Sequence, residues 1–165
     1  MPHPERAIAA GFTLIELMVA VAVLAILATL ALPSFQAPLV RQQVVDSAAL
    51  INVAKNAVAG KWAAAQKLPL DNAEAGLPDA GKLVGNYVSS IRVEAGAVHV
   101  QFGNQANGAI KGHTLSFRPA VVDGAPMVPI AWVCGPAPIP GTMSAKGTDR
   151  TDVAAKFLPL NCRAA

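Results

Sequence analysis

The 165-residue sequence is poor in the residues from which most catalytic and metal sites are built. It has two cysteines and three histidines, and the cysteines lack the close spacing of a zinc-binding pair. The histidines have no cysteine or carboxylate at metal-ligand spacing, and the sequence has no P-loop, GxSxG or HExxH pattern. We therefore expect no enzyme, no metal site and no cofactor.

Charged residues are also scarce, at 14% of the chain. The formal net charge of +3 is a mild bias and only weak support for nucleic-acid binding. The basic residues that would form such a surface are scattered along the sequence: Lys82, Arg92, Lys111, Arg118, Lys146, Arg150 and Lys156. Only a fold can show whether they gather on one surface, so DNA binding stays an open alternative.

One long apolar run lies near the N-terminus. From Phe12 to Phe35 the only charged side chain is Glu16. As an α-helix with a rise of about 1.5 Å per residue, this run would be roughly 36 Å long, enough for a hydrocarbon core of about 30 Å. A carboxylate inside such a helix is energetically costly and usually functional, so Glu16 needs a partner.

Two ordinary interpretations of this run explain it poorly. A cleaved secretory signal peptide has a basic start, an apolar core of about 7–15 residues and a small-residue cleavage site. Here the leader 1–11 is net neutral, because Glu5 offsets Arg6, and no clean A-x-A site closes the run. A plain membrane anchor would leave Glu16 unexplained.

The sequence Gly11-Phe12-Thr13-Leu14-Ile15-Glu16, followed directly by an apolar helix, resembles the class III signal of type IV pilins and related pseudopilins. The resemblance implies that a membrane aspartyl protease, the prepilin peptidase, cleaves between Gly11 and Phe12 and N-methylates Phe12. It also implies that Glu16 pairs with the amino terminus of a neighbouring subunit in the filament core. Such pairing fits the physics, because a buried charge is tolerated beside an opposite charge.

The resemblance also divides the chain. Pro33 matches a recurring helix-kinking proline, so we predict a bend near Ala31 to Pro33. The predicted parts are a leader at 1–11, a transmembrane and filament-core helix at 12–35, and an exported globular domain at 36–165. The last part, of about 130 residues, is long enough for one modest core.

The pattern after residue 36 predicts a second, amphipathic half of the long helix. Apolar residues recur at spacings of four and seven, which predicts one buried face up to about Lys67: Val40, Val44, Ile51, Val58 and Trp62. This face is expected to pack on a sheet. A loop rich in glycine, proline, aspartate and asparagine is predicted for 69–86.

Four antiparallel strands are predicted next. Alternating apolar and polar residues over 87–94 and 97–102, joined by an Ala95-Gly96 turn, predict a hairpin with one apolar face and with His99 on the solvent face. A third strand is predicted around Leu115 and Phe117, ended by Pro119. A fourth is predicted around Trp132.

The two cysteines, Cys134 and Cys162, form an even pair in an exported domain, which favours one disulfide. Closing the 27 intervening residues would stabilise the fold by roughly 3–4 kcal/mol on the chain-entropy model. Two reduced, buried thiols are the alternative. Within the tail, Asp149 and Asp152 flank Arg150; a solvated surface is the simplest interpretation, with a filament contact as the alternative.

The predicted fold class is therefore α+β, with a long N-terminal helix packed on a four-stranded antiparallel sheet and a disulfide-closed C-terminal loop. This layout resembles major pilins of the type IVa class, as do short stretches such as Trp132-Val133-Cys134 and Leu158-Pro159-Leu160-Asn161-Cys162. The resemblance implies a structural subunit that polymerises, with inner-membrane assembly machinery, into surface filaments for adhesion, twitching motility or DNA uptake. It places the precursor as a single-pass protein of the inner membrane and the assembled subunit in a pilus.

Two other roles share these features. A type II secretion pseudopilin has the same N-terminal signal but commonly lacks a cysteine-closed end. A minor or DNA-binding pilin has both features. The sequence alone does not choose among adhesion, motility, DNA uptake and secretion.

Overall fold

The computed structural model describes residues 11–125 and 127–164, without the side chains of 30–35. The chain divides into two compact units between Gln36 and Ala37. The larger unit confirms the predicted α+β arrangement of a helix on an antiparallel sheet. The leader, up to residue 10, lies outside the described residues.

The predicted long helix is two helices, α1 (Leu14–Asp46) and α2 (Ala48–Ala65). Ser47 lies between them, and its hydroxyl donates to the Gln43 carbonyl at 2.8 Å, in addition to the regular helical bond of its N–H. A serine that bonds back to the preceding turn often bends a helix. Within the described residues, neither helix combines the length and the apolar character that a membrane crossing requires.

The buried face predicted for the amphipathic part is confirmed at four of its five residues, whereas Trp62 is only partly buried. Val40, Val44, Ile51 and Val58 are all at most 4% exposed. Helix α2 packs on the first two strands of the sheet, Val88–Glu94 and Ala97–Phe102. It ends at Ala65 because Gln66 adopts a left-handed conformation, with φ of 54°, and donates its N–H to the Trp62 carbonyl.

The loop after α2 is held by one buried side chain. The Asn72 amide donates to the carbonyls of Pro78 and Ile91, at 3.0 Å and 2.9 Å. Its oxygen accepts the Val93 N–H at 2.6 Å. Asn72 therefore attaches this irregular loop to the sheet. A short 3₁₀ turn follows at Ala80–Lys82.

The sheet has the four strands predicted and one more. They are β1 (Val88–Glu94), β2 (Ala97–Phe102), β3 (Thr114–Val121), β4 (Ala131–Cys134) and β5 (Ser144–Ala145). The order is β1-β2-β3-β4, all antiparallel, and β5 pairs with the end of β3. The predicted Ala95-Gly96 turn joins β1 to β2, with φ of 47° and 82°.

Pro119 does not end the third strand, as the sequence had suggested. It lies inside β3, opposite Trp132 of β4. Strand β2 pairs with β3 only as far as Phe117, so the missing N–H of Pro119 breaks no bond between those strands. Its carbonyl accepts the Lys146 N–H at 2.8 Å, next to the short strand β5.

Strand β1 also departs from simple alternation. Its register against β2 shifts between Val88 and Ser90, so Val88 and Ile91 are both buried despite their odd spacing. Gly103 makes room for the shift, because a Cβ there would stand 2.5 Å from the Ser89 Cβ. The core between α2 and the sheet is completed by further residues of β2, β3 and the loop between them: Val98, Val100, Phe102, Ile110 and Leu115.

Candidate functional sites

The first candidate site is the start of α1. Thr13 is the residue just before the helix, and Glu16 is the third residue of its first turn. The Thr13 N–H and hydroxyl donate to Glu16 Oε2 at 3.3 Å and 3.1 Å, and the Glu16 N–H is 3.3 Å from the Thr13 hydroxyl oxygen, which accepts it. This reciprocal arrangement is a capping box, which satisfies N–H groups that a helix start leaves without partners.

The capping box gives Glu16 a partner within its own chain, which the sequence analysis missed. The signal was present, since Thr-x-x-Glu directly before an apolar run is the pattern of a capping box. The bonds use one carboxylate oxygen, Oε2. They do not neutralise the charge, so a cationic partner for Glu16 remains compatible with this geometry.

The residues around Glu16 form an apolar surface without cover. Phe12, Leu14 and Ile15 are 85%, 77% and 72% exposed, and large apolar side chains up to Leu27 are at least half exposed. Contiguous apolar surface of this size marks a site of contact with a protein or a membrane. Residues 11–13 precede the helix, and no atom of the described residues lies within 4 Å of the position where Gly11 would have a Cβ.

The predicted bend near Pro33 stays a prediction. The helix assignment of α1 continues through that residue. Pro33 belongs to the segment whose side chains lie outside the described part.

The second candidate site is the cysteine-closed C-terminal region. Cys134, at the end of β4, forms a disulfide with Cys162, and both residues are buried. The Arg163 guanidinium donates twice to the Leu158 carbonyl, at 3.0 Å and 2.9 Å. The disulfide therefore ties the C-terminal region to the sheet edge, the Arg163 bonds close a turn within that region, and the predicted closure is present.

Lys55 of α2 packs beside this closure. Its ammonium lies 5.6 Å from the ring centre of Phe117 and 5.4 Å from that of Trp132, within the range of cation–π attraction. Burial lowers the pKa of Lys55 below its ordinary value. The side chain thus joins the helix to β3 and β4 next to Cys134.

The third feature is a segment we call the strap, residues 147–152, which crosses the outer face of the sheet. Gly147 lies on Ala97, and the Arg150 N–H donates to the Ser116 hydroxyl at 2.9 Å. Beyond this crossing, the Thr151 hydroxyl accepts the Ser116 N–H, and the Asp152 N–H donates to the Thr114 carbonyl. The strap therefore covers the face of the sheet that the alternating apolar and polar residues predicted to be exposed to solvent.

His99 is buried as a result, which corrects the prediction that it faces solvent. It is 5% exposed, and its Nδ1 lies 2.9 Å from the Ser116 hydroxyl. Burial lowers the pKa of His99, Glu94 opposes this, and the Arg150 charge adds to it. A neutral ring at neutral pH is the consequence.

Arg150 and Asp152 of the strap are exposed, as the solvated-surface interpretation predicts, and both also bond to the sheet or to the residue before it. The Arg150 guanidinium lies 2.6 Å from Glu94 Oε2. Asp152 Oδ1 accepts the Thr114 N–H, and its second oxygen is 3.3 Å from His113 Nδ1. These contacts hold the strap in place across β1, β2 and β3.

Most of the basic residues that are scattered along the sequence have partners elsewhere in the chain, whether a carboxylate, a backbone carbonyl or an aromatic ring: Lys82, Lys111, Arg118, Lys146 and Lys156. Arg92 and Arg150 do lie together, on one polar cavity. Across residues 11–125 and 127–164, no group of three or more histidine, cysteine or acidic side chains is placed to hold a metal ion.

Comparison with known proteins covers both candidate sites. A model of the pilin family, described as a bacterial filament protein, matches residues 40–163. A model of the prokaryotic N-terminal methylation motif matches residues 6–32. The first match contains the sheet and the disulfide, and the second contains Gly11 to Glu16.

Full-length relatives are similar over most of their chains. A fimbrial protein of Neisseria meningitidis serogroup B is 34% identical in an alignment 162 positions long that covers 93% of this chain and 93% of its own. The type IV major pilin protein PilE of Neisseria gonorrhoeae gives the same identity and coverage. The fimbrial protein EcpC of Eikenella corrodens is 32% identical over 93% of this chain and 90% of its own.

Proposed function

The chain belongs to the pilin family and is a structural subunit of a type IV pilus, and from that premise we propose how it matures and assembles. The prepilin peptidase cleaves the bond between Gly11 and Phe12 and methylates the new amino terminus of Phe12. The methylation-motif match over residues 6–32 supports this step. So does the position of the bond, because it precedes the helix and Gly11 is exposed.

Before assembly, residues 12–35 hold the precursor in the inner membrane, with the globular unit outside the cytoplasm. The observation that supports this step is the exposed apolar surface from Phe12 to Leu27, which needs lipid or protein around it. In the filament the same surface packs against the helices of other copies. Transfer from lipid to protein gains little hydrophobic energy, so helix packing and polar pairing must supply the selectivity.

The single observation that carries the mechanism is the geometry at Glu16. Its carboxylate is held by Thr13 at the start of the helix, one turn from Phe12. In the filament, the amine of Phe12 from a neighbouring copy pairs with this carboxylate. A fixed position reduces the conformational entropy that the pairing would otherwise cost.

Three substitutions separate the charge of Glu16 from its role as a cap. Glu16→Gln keeps an amide that completes a capping box but removes the charge, whereas Glu16→Ala removes both. Thr13→Val removes the hydroxyl and keeps the charge. We expect all three proteins to be cleaved and membrane-held, and we expect Glu16→Gln and Glu16→Ala to lose most surface filaments while Thr13→Val keeps them.

The measurement is the yield of filaments sheared from cells, with the mass of the subunit as the check on processing. Normal filaments from Glu16→Gln would contradict pairing by charge. If Thr13→Val lost filaments as severely as Glu16→Ala, the cap rather than the charge would be the requirement.

A further inference from the structure

A small polar cavity opens on the outer face of the sheet, where the strap crosses it. Its volume is about 180 Å³, room for one small ion with its nearest waters. All the residues that line it are polar: Ser90, Arg92, His99, Gln101, Thr114 and Arg150. An apolar ligand would find no apolar side chain to pack against, so the lining favours a polar or charged ligand.

Sheet register brings these side chains together. Arg92 of β1 lies opposite His99 of β2, and Ser90 lies opposite Gln101, which in turn lies opposite Thr114 of β3. The strap adds the Arg150 side chain from above. Three strands and a loop therefore build the cavity from residues far apart in sequence.

The two arginines of the cavity differ in their partners, and both Glu94 and Asp149 lie close enough to act on His99. Arg150 lies 2.6 Å from Glu94 Oε2, so that carboxylate offsets one guanidinium. Arg92 is exposed and makes no hydrogen bond, ion pair or ring contact within the part of the chain that the structure describes. Arg92 is therefore a planar group that presents several N–H donors in a fixed geometry and has no partner among the described residues.

His99 adds a buried atom without a partner. The ring is held through Nδ1, which lies 2.9 Å from the Ser116 hydroxyl. Its Nε2 is buried and has no hydrogen-bond partner among the described residues, and the nearest carboxylate oxygen, of Glu94, is 3.6 Å away. If the Ser116 hydroxyl donates to Nδ1, the ring proton lies on Nε2, and an unpaired buried donor costs free energy until it meets an acceptor.

We propose that this cavity binds a phosphate group, held by the guanidinium groups of Arg92 and Arg150 and by the Nε2 donor of His99. The hydroxyl of Thr114 supplies a further donor at the rim. Guanidinium forks match the oxygens of a phosphate, and bonds to a charged acceptor are about twice as strong as neutral ones. The cavity is too small for a nucleoside, so the ligand is a free phosphate ion or the terminal phosphate of a larger molecule.

The test uses the full-length chain in non-ionic detergent, with inorganic phosphate as the probe. Nuclear magnetic resonance follows the arginine Nε–H groups and the His99 ring during titration at constant ionic strength, with chloride as the comparison anion. We expect saturable shifts at Arg92, Arg150 and His99 with phosphate and none with chloride. A second titration uses glycerol phosphate, a phosphate ester. If it binds at least as tightly as inorganic phosphate, the ligand is the terminal phosphate of a larger molecule; if it binds more weakly, the ligand is the free ion.

A matched pair of variants makes the test specific. Arg92→Gln removes an exposed charge without a structural contact and should weaken phosphate binding by about tenfold or more. Lys61→Gln removes an equivalent charge from the exposed face of α2 and should leave the affinity unchanged. Unsaturable shifts, equal loss in both variants, or binding of a short DNA duplex without binding of phosphate would overturn the proposal. Because the measurement needs no filament, its outcome is independent of the mechanism of assembly.

Discussion

Gly147 lies directly over Ala97 on the outer face of the sheet. A Cβ at Gly147 would stand 2.7 Å from the Ala97 Cβ, closer than two carbon atoms can approach without a shift. The backbone of Gly147 also has φ of 77°, a conformation that favours glycine. This contact sets the height of the strap, which buries His99 and closes one side of the polar cavity.

Gly147→Ala should therefore destabilise the globular unit by more than backbone strain alone. Gly76→Ala is the matched control, because Gly76 has φ of 75° but nothing within 4 Å of its Cβ position. We expect the free energy of unfolding to fall by about 1–2 kcal/mol in the control, from backbone strain. We expect it to fall by about 1–3 kcal/mol more in Gly147→Ala, from overpacking. Urea unfolding of the full chain, followed by the fluorescence of Trp62 and Trp132, measures both, and equal losses would show that the strap does not rest on Ala97.

Asn72→Ala should also be strongly destabilising. The change removes three hydrogen bonds and leaves the buried Val93 N–H without its acceptor, with an expected loss of about 2–4 kcal/mol. Asn56→Ala on the exposed face of α2 is the control and should be neutral or slightly stabilising, because alanine has the higher helix propensity. A loss under about 1 kcal/mol at Asn72 would mean that the loop is held by other contacts.

Removing the disulfide tests the closure of the C-terminal region. Replacing Cys134 and Cys162 by serine should lower the free energy of unfolding by roughly 3–4 kcal/mol, because the unfolded chain regains the entropy that the cross-link removes. Reductant added to the parent chain should have a similar effect, and reductant added to the double variant should have none. If reductant left the parent chain unchanged, the closure would not contribute to stability.

The stability of the globular unit should fall as the pH drops below about 6.5. Burial lowers the pKa of His99 in the folded state, although Glu94 and Asp149 oppose it and Arg150 and Arg92 add to it. The unfolded chain then binds more protons than the folded chain, so the free energy of unfolding decreases on acidification. Unfolding of the parent chain and of His99→Gln between pH 7.5 and 5.5 measures this, and an equal slope in both would remove His99 as the cause.

The periodicity of the sequence was enough to predict the face of the helix that meets the sheet. Val44, Ile51 and Val58 are buried as expected, because a helix repeats its faces every three to four residues whatever its partner is. Strand β2 shows the limit of this logic. Val98 and Val100 face the core as alternation predicts, but His99 is covered by a strap that lies about fifty residues later in the chain.

Local chemistry explains the other differences. The hydroxyl of Ser47 bonds to a helix carbonyl, and Pro119 lies beyond the last residue of β3 that pairs with β2. Neither effect changes the spacing of apolar residues, so the sequence pattern could not predict it. At the start of α1 the motif itself identified Glu16. Its capping bond to Thr13 was readable from the spacing, whereas the polar cavity around Arg92 and Arg150 required the register of three strands.

The central claim is that this chain, cleaved after Gly11, is the building unit of a surface filament. The most direct measurement is mass spectrometry, with N-terminal sequencing, of the main subunit of filaments sheared from cells that express it. We expect a chain that begins at N-methylated Phe12, continues Thr-Leu-Ile-Glu and contains the Cys134–Cys162 disulfide. A subunit that begins near Ser34, or filaments that lack this chain, would contradict it.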